Sequence, residues 1–187
     1  MPVEIEMKAW VHRPEETLGR VQRLCVFQKD YVKNDAYFSA PKASPLAGDA
    51  GSDLRVRSEN GQWVCTYKKK SVKNALEVNE ENEFTLSDGP LFMDLLEKLG
   101  CERSIRKVKR GKQYACRGLT VEVSDVQGLG LFVEAEKVLE AARPEEIAAW
   151  EKTIRRFFAD IGIRDEDIEA RPYSAMLREK GQTGKAP

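Results

Sequence analysis

The residues best suited to chemistry in this chain are glutamates that occur in pairs at alternate positions. Glu4 and Glu6 form the first pair, with Lys8 one step further on, and Glu134 and Glu136 repeat the spacing. In a strand this spacing places both carboxylates on one face, about 7 Å apart. Like charges so close repel each other unless a cation lies between them, and Mg²⁺ and Mn²⁺ prefer oxygen ligands. The pairs therefore predict a divalent-metal site.

Two further strands carry pairs of one sign, Arg55 with Arg57 and Glu81 with Glu83. The alternate positions in such strands are largely apolar, so the ionic faces converge on one concave surface if the apolar faces pack under helices. Guanidinium groups are well suited to phosphate oxygens. Acidic and basic pairs on a shared surface therefore predict a polyphosphate ligand that is bound together with its metal.

A flat, solvent-facing sheet is the alternative interpretation of these charges. In that case Arg57→Ala changes the free energy of unfolding by at most about 1 kcal/mol. In a tunnel, like charges are confined together, so the same substitution is expected to cost little stability while ligand binding weakens by about 1.5–3 kcal/mol. The grouping of like charges strand by strand favours the tunnel, because charges on a solvated surface are usually intermixed.

Composition narrows the class of protein. The 187 residues suit one domain with its own core, and 31 basic residues balance 31 acidic ones, so neither a nucleic-acid polymer nor a membrane is an expected partner. The four cysteines are scattered, and the chain shows no signal peptide and no long apolar run, which predicts a cytoplasmic protein with reduced thiols. The single histidine, His12, argues against a histidine triad or a zinc site.

The hydrophobic periodicity predicts an α+β fold, in which a largely antiparallel sheet is flanked by helices. Strands are expected at residues 3–10, 26–38, 54–57, 62–68, 76–86, 105–116, 119–124 and 131–138. Helices are expected at residues 14–25, 91–99 and 144–161. Asn60-Gly61 predicts a tight hairpin. Residues 39–53 predict a long loop that serves as a mouth or lid, and residues 179–187 predict a disordered tail.

Seven motifs occur in the order in which they occur in the CYTH superfamily, the triphosphate tunnel metalloenzymes, which this chain resembles over nearly its whole length. They are Glu4-x-Glu6-x-Lys8, Asp35-x-Tyr37-Phe38, Leu54-Arg55-Val56-Arg57, Thr66-Tyr67-Lys68, Glu81-x-Glu83, Gly128-Leu129-Gly130-x-Phe132-Val133-Glu134-x-Glu136 and Arg171-x-Tyr173-x-x-x-Leu177. The resemblance implies a closed tunnel of eight antiparallel strands, flanked by helices, within a single domain at residues 1–178.

The resemblance also implies the roles of individual residues. Lys8 and Arg57 would be catalytic. The triphosphate would be held by Lys8, Arg55, Arg57, Lys68, Arg110 and Lys112, with the choice between the last two left open. Mg²⁺ or Mn²⁺ would be bound within an acidic lining made of Glu4, Glu6, Glu81, Glu83, Glu122, Glu134 and Glu136.

One departure from the family pattern concerns the metal site. The family has an aspartate at the position of Ser124, and here Asp125 follows one residue late. A slip of one residue reverses the facing of a side chain in a regular strand. Either a bulge turns Asp125 inward, or Glu122 substitutes for it, or a second metal site is weakened.

The function implied by the resemblance is that of a class IV adenylate cyclase, which converts ATP into cyclic AMP and pyrophosphate. An inorganic or thiamine triphosphatase, which hydrolyses the terminal phosphate, is the alternative. A non-catalytic module that binds polyphosphate or nucleotide is a second alternative. In each case the partner is a nucleotide or another triphosphate small molecule. Whether the chain also forms a homodimer is left open.

Overall fold

The computed structural model describes residues 2–41, 52–73 and 75–181, apart from the side chains of Ser52, Asp53 and Lys70. Eight strands form a closed antiparallel barrel, which confirms the predicted α+β fold with its eight-stranded tunnel. The strands are β1 (Val3–Trp10), β2 (Val26–Ser39), β3 (Ser52–Glu59), β4 (Gln62–Lys73), β5 (Leu76–Leu86), β6 (Glu102–Cys116), β7 (Leu119–Val126) and β8 (Gly130–Leu139). A short strand, β9 (Ile168–Glu169), adds to β1 outside the barrel.

Within the described residues four α-helices accompany the barrel, one more than the sequence predicts. They are α1 (Pro14–Leu24), α2 (Gly89–Lys98), α3 (Pro144–Asp160) and α4 (Tyr173–Glu179). Within the ranges that the structure describes, none of these helices combines the length and the apolar character needed to cross a membrane.

Strand β1 closes the barrel because it pairs on both sides. Its first half pairs with β5, where Glu4 lies opposite Asn79, and its whole length pairs with β8, where Glu6 lies opposite Glu136. Since successive side chains alternate between faces, this register sends Glu4, Glu6 and the aligned Glu136 to the same side of the wall. That side is the interior of the barrel.

The outer side of β1 packs into the main apolar core. Ile5 and Met7 are fully or almost fully buried there with Phe157 and Phe158 of α3. Helix α3 begins at Pro144, whose missing N–H suits a first helical turn, and it carries its apolar residues at helical spacing. The core therefore lies between the barrel wall and the helices, and the barrel interior is left to polar side chains.

Helix α4 lies across one end of the barrel. Its Tyr173 and Met176 pack on Phe132, and its Leu177 is fully buried against Tyr37 and Ile105. Phe132 shares its strand face with the glutamates of β8, so these contacts lie on the inner side of the wall. The helix was missed in the sequence because it is short and comes from a polar stretch.

Two connections complete the comparison with the predicted elements. The Asn60-Gly61 hairpin is confirmed, because both residues have positive φ, 49° and 86°, as a tight two-residue turn requires. The predicted loop is shorter than expected at both ends, since β2 continues to Ser39 and β3 begins at Ser52. Its middle, residues 42–51, and most of the predicted tail, residues 182–187, lie outside the described residues.

Candidate active site

The interior of the barrel holds a cavity of about 260 Å³ with an almost wholly ionic lining. Side chains from each of the strands β1 to β8 reach it. Pro172, the N-cap of α4, and Tyr173 and Ser174 of that helix lie at its closed end. The charged lining residues are Glu4, Glu6, Lys8, Lys33, Arg55, Arg57, Lys68, Glu77, Glu81, Glu83, Lys107, Lys109, Glu122, Glu134 and Glu136. The structure thus brings together all of the predicted site residues except Arg110 and Lys112.

Lys68 is the basic centre of the β1–β5 side of the cavity. Its Nζ contacts Glu4 and lies 2.7 Å from Glu81 and 3.5 Å from Glu6. Burial disfavours a charged lysine, but these carboxylates outweigh burial and hold the pKa of Lys68 well above its ordinary value. Lys68 therefore stays protonated and suits either a carboxylate or a phosphate partner.

Asp35 organises the opposite side of the cavity, although it is itself fully buried. Arg57 donates to both of its oxygens, from Nε at 2.7 Å and from Nη2 at 2.9 Å, and Lys107 lies 3.1 Å away. Burial opposes the charged carboxylate, but Arg57 and Lys107 hold the pKa of Asp35 well below its usual range. This two-point contact fixes the plane of the Arg57 guanidinium, so its remaining N–H groups have a set direction.

The neighbouring basic groups extend this side of the lining. Arg55 Nη2 donates to Thr66 Oγ1 at 3.0 Å and lies 4.0 Å from Glu83. At the closed end, Lys8 pairs with Glu77. The ammonium groups of Lys8, Lys107 and Lys109 lie 5.5, 5.1 and 5.6 Å from the centre of the Tyr173 ring. This end of the cavity is therefore rich in positive charge.

Glu122 has four donors around its two oxygens. Tyr31 Oη donates to it at 2.8 Å, Lys109 Nζ at 3.0 Å and Gln113 Nε2 at 3.3 Å, and Lys33 is in contact. Lys109 also contacts Glu134. Burial raises the pKa of the Glu122 carboxyl, but Lys109 and Lys33 outweigh that effect and lower it. Glu122 is thus an inward-facing anion whose charge is fully compensated.

Glu136 is the acidic residue that lacks such compensation. In the part of the chain that the structure describes, no ammonium or guanidinium group lies within 4.0 Å of its carboxylate. Burial, together with Glu4, Glu122 and Glu6, raises the pKa of Glu136 well above its ordinary value. Its cross-strand partner is Glu6, and like charges directly opposite each other are unfavourable. A cation at this position would relieve that repulsion.

The oxygen ligands around Glu136 are of the type that a hard divalent ion prefers. Glu4, Glu6 and Glu136 offer carboxylate oxygens, which Mg²⁺ and Mn²⁺ prefer. Among the described residues no three acidic side chains already converge at metal-binding distance. Lys68 lies between Glu4 and Glu6 instead, so a metal ion would have to displace its ammonium from them.

Arg110 and Lys112 lie outside the cavity. Both are exposed, and Lys112 pairs with Asp30 at 2.7 Å on the outer face of the wall. Since side chains alternate along β6, the inward positions belong to Lys107 and Lys109, which are 5% and 3% exposed. Strand β6 therefore turns both of these predicted triphosphate ligands, Arg110 and Lys112, away from the cavity.

The structure also excludes one of the alternatives for the acidic position on β7, the bulge. The register of β7 with β6 and β8 is regular, so no bulge turns Asp125 inward, and its side chain is exposed. Ser124 is fully buried, and its hydroxyl has no hydrogen-bond partner among the described residues. Glu122 lies on the same face and reaches the cavity.

Sequence reasoning missed the interior roles of Lys33, Asp35, Glu77, Lys107 and Lys109, although their alternate spacing within β2, β5 and β6 was a usable signal.

Comparison with known proteins agrees with this geometry. The sequence profile of the CYTH domain matches residues 3–173. "Putative adenylate cyclase MJ0240" of Methanocaldococcus jannaschii is 28% identical over 138 residues, which cover 72% of this chain and 77% of that protein. The PH1012 protein of Pyrococcus horikoshii has a solved structure that covers 92% of this chain and 98% of its own, with a TM-score of 0.77 and 28% identity. A Hippeastrum protein described as having a dominant triphosphatase activity shares the fold, with a TM-score of 0.60, 17% identity and 97% coverage of both chains.

Proposed function

This chain belongs to the CYTH domain family, and from that premise we propose that it is a divalent-metal-dependent adenylate cyclase, which converts ATP into cyclic AMP and pyrophosphate. The observation that carries the proposal is the combination, in one cavity, of oriented basic groups with Glu136, a carboxylate that has no cation partner. The similarity to the Methanocaldococcus protein named as an adenylate cyclase supports this choice within the family.

The basic residues of the cavity bind the triphosphate chain. Arg57, held by Asp35, presents its guanidinium in one orientation, and Arg55 lies on the same strand face about two residues of rise away, or roughly 7 Å. That spacing allows the two groups to bind neighbouring phosphates. Lys8, Lys68 and Lys107 neutralise the charge of the remaining phosphoryl oxygens, including the charge that develops on the leaving pyrophosphate.

Glu4, Glu6 and Glu136 would hold the metal ion, with Glu81 and Glu83 completing the acidic lining on β5. A bound Mg²⁺ or Mn²⁺ would polarise phosphoryl oxygens and lower the pKa of the attacking ribose hydroxyl. The 3′-hydroxyl gives up its proton to water, the 3′-oxygen attacks the α-phosphorus, and the bond from that phosphorus to the pyrophosphate oxygen breaks so that pyrophosphate leaves. Residues of this chain align the ribose hydroxyl and the α-phosphorus within the cavity, so the ribose hydroxyl is the favoured nucleophile.

Hydrolysis of inorganic triphosphate is the second candidate, and one observation favours it. The lining is almost entirely charged, and its aromatic members, Tyr37 and Tyr173, lie at the closed end beside α4. Across the described lining, the opposite end offers Gln113, Glu83 and Val138, none of which can stack on a purine. A substrate without a base would use all of the charged contacts and need no stacking.

A direct assay separates these functions from each other and from simple binding. ATP, inorganic triphosphate and thiamine triphosphate are each incubated with Mg²⁺ or Mn²⁺, and cyclic AMP, pyrophosphate and phosphate are measured. Cyclic AMP and pyrophosphate in equal amounts are expected from ATP. Release of phosphate alone would establish the triphosphatase, and the absence of turnover with retained triphosphate binding would leave a binding module.

Glu136→Gln tests the part of the proposal that concerns metal. Turnover is expected to fall at least tenfold, because an amide is a weaker ligand than a carboxylate and metal sites typically lose about 10- to 100-fold when a supporting group changes. Folding is expected to be retained or improved, since the variant removes the repulsion between Glu136 and its cross-strand partner Glu6. The measurements are a Mn²⁺ titration of activity and a thermal melt. An unchanged Mn²⁺ dependence would exclude Glu136 from the metal site.

A further inference from the structure

The acids of the cavity differ in how their charge is neutralised. Glu136 has no basic partner among the described side chains, whereas Glu122 and Glu134 share the ammonium group of Lys109. Lys109 is 3% exposed and extends from β6, so its position is set by the barrel wall rather than by solvent. The lining around Glu136 can therefore accept an added cation, whereas the lining around Glu122 and Glu134 already holds the ammonium group of Lys109.

The Glu122 carboxylate has little capacity left for a further ligand. A carboxylate offers about four lone-pair sites, and Glu122 already has four donors: Tyr31, Lys33, Lys109 and Gln113. A metal ion could bind Glu122 only by displacing one of them. Lys109 is the donor that also bridges to a second acid, Glu134, so it occupies the position between two carboxylates that a bridging cation would take.

The next positions on the cavity-facing side of β6 and β7 carry no acidic side chain. Gly111 and Ser124 are cross-strand partners on β6 and β7. A Cβ atom at Gly111 would lie 2.3 Å from the Val123 carbonyl oxygen and 2.7 Å from Ser124 Cβ, so only glycine fits there. With no side chain at one position and a small neutral one at the other, this part of the wall adds no third carboxylate beside Glu122 and Glu134.

We propose that the ammonium group of Lys109 is a built-in cation for Glu122 and Glu134, so that this chain takes up one divalent metal ion, at Glu4, Glu6 and Glu136, and not two. The inference rests on the proposed metal-dependent function. It assigns Glu122 a different role from the one that the sequence resemblance implies, because Glu122 anchors Lys109 and Lys33 and does not bind metal.

The test counts metal ions directly. Purified protein is titrated with Mn²⁺ alone, and free Mn²⁺ is followed by electron paramagnetic resonance, which requires no turnover. The wild type is expected to bind one Mn²⁺ per chain. The double variant Lys109→Met/Ser124→Asp removes the internal cation and adds a carboxylate beside Glu122, and it is expected to bind two. Lys109→Arg keeps a cation in place and is the matched control, with one Mn²⁺ expected.

The outcomes of the Mn²⁺ titration distinguish a failure of the Lys109 inference from a failure of the proposed metal-dependent function. Two Mn²⁺ ions of similar affinity in the wild type would overturn the inference while leaving metal-dependent function intact. No Mn²⁺ in the wild type, at any concentration below denaturing levels, would instead overturn the proposed metal-dependent function itself. A single Mn²⁺ in a double variant whose circular dichroism and melting transition show that it is folded would also overturn the role of Lys109. If the double variant does not fold, the wild-type count and the single variant Lys109→Met decide the matter.

Discussion

The two faces of strand β1 are almost equally buried, yet they contribute to the protein in opposite ways. Ile5 and Met7, at 0% and 1% exposure, pack against α3, while Glu6 and Lys8, at 9% and 2%, face the cavity. Burial of apolar surface stabilises a fold by about 25 cal/mol per Å². Burial of charge costs desolvation that ion pairs at best offset. The difference indicates that the barrel is stabilised from outside its wall, whereas its charged interior is the place where we propose that the triphosphate binds.

The largest effect on stability is expected on the apolar side. Phe157→Ala removes a fully buried ring between α3 and the barrel, and such truncations cost about 3–5 kcal/mol through lost burial and a residual cavity. Urea unfolding followed by circular dichroism measures this loss. Turnover per folded molecule should stay close to that of the wild type. A stability loss below about 1 kcal/mol would contradict the conclusion that apolar packing outside the wall stabilises the barrel.

A smaller loss of stability and a large loss of ligand binding are expected from Arg57→Ala. The sequence alone suggested almost no cost in stability, but the structure pairs Arg57 with the fully buried Asp35, so removal leaves Lys107 as the remaining ion-pair partner of that carboxylate among the described residues. A partly unsatisfied buried group costs about 1–3 kcal/mol. Inorganic triphosphate should raise the melting temperature of the wild type and fail to do so in the variant.

Arg110→Ala is the matched control for that experiment. Arg110 lies on the outer face of β6, is exposed, and has no ion-pair partner in the described portion of the chain. Its removal should change stability by no more than about 0.5 kcal/mol and leave the triphosphate-induced shift intact. Equal shifts in wild type, Arg57→Ala and Arg110→Ala would remove Arg57 from the site.

The smallest effect is expected at the rim of the barrel, where Glu169 joins β9 to β1. Arg171 donates to it at 2.7 Å and Trp10 Nε1 at 3.2 Å. Arg171 lowers the pKa of Glu169 to about 2. Because this pKa is depressed below the unfolded value of about 4.3, the contribution is present above that value and is lost as the pH falls through about 2.

Urea midpoints for the wild type and Glu169→Gln measure this contribution. The midpoint of the wild type should exceed that of the variant at pH 6, and the difference should shrink as the pH falls below about 4. Arg171 is 53% exposed, so water and salt screen the pair and the difference should be small. A difference that does not change with pH would show that Glu169 acts through its shape and not its charge.

Much of the fold follows from local patterns in the sequence. The alternation in Val3–Trp10 and Leu76–Leu86 predicts both strands with their observed bounds, and Pro144 marks the observed start of α3. Such patterns are readable because the strand period of two and the helix period of 3.6 are properties of the backbone itself. Helix α4 was not predicted, because seven residues are too few for a periodic signal and its burial depends on the barrel end that it covers.

The sequence by itself determined which charges share a strand face, since parity along a strand is local: Glu4 with Glu6, Arg55 with Arg57, Glu134 with Glu136. Only the tertiary structure decided which faces meet and which partners each charge finds. Closure of the barrel set Lys107 and Lys109 inside and Arg110 and Lys112 outside. It also brought Asp35 to Arg57 and Lys109 to Glu122, because these pairs depend on the register between strands, which no single strand encodes.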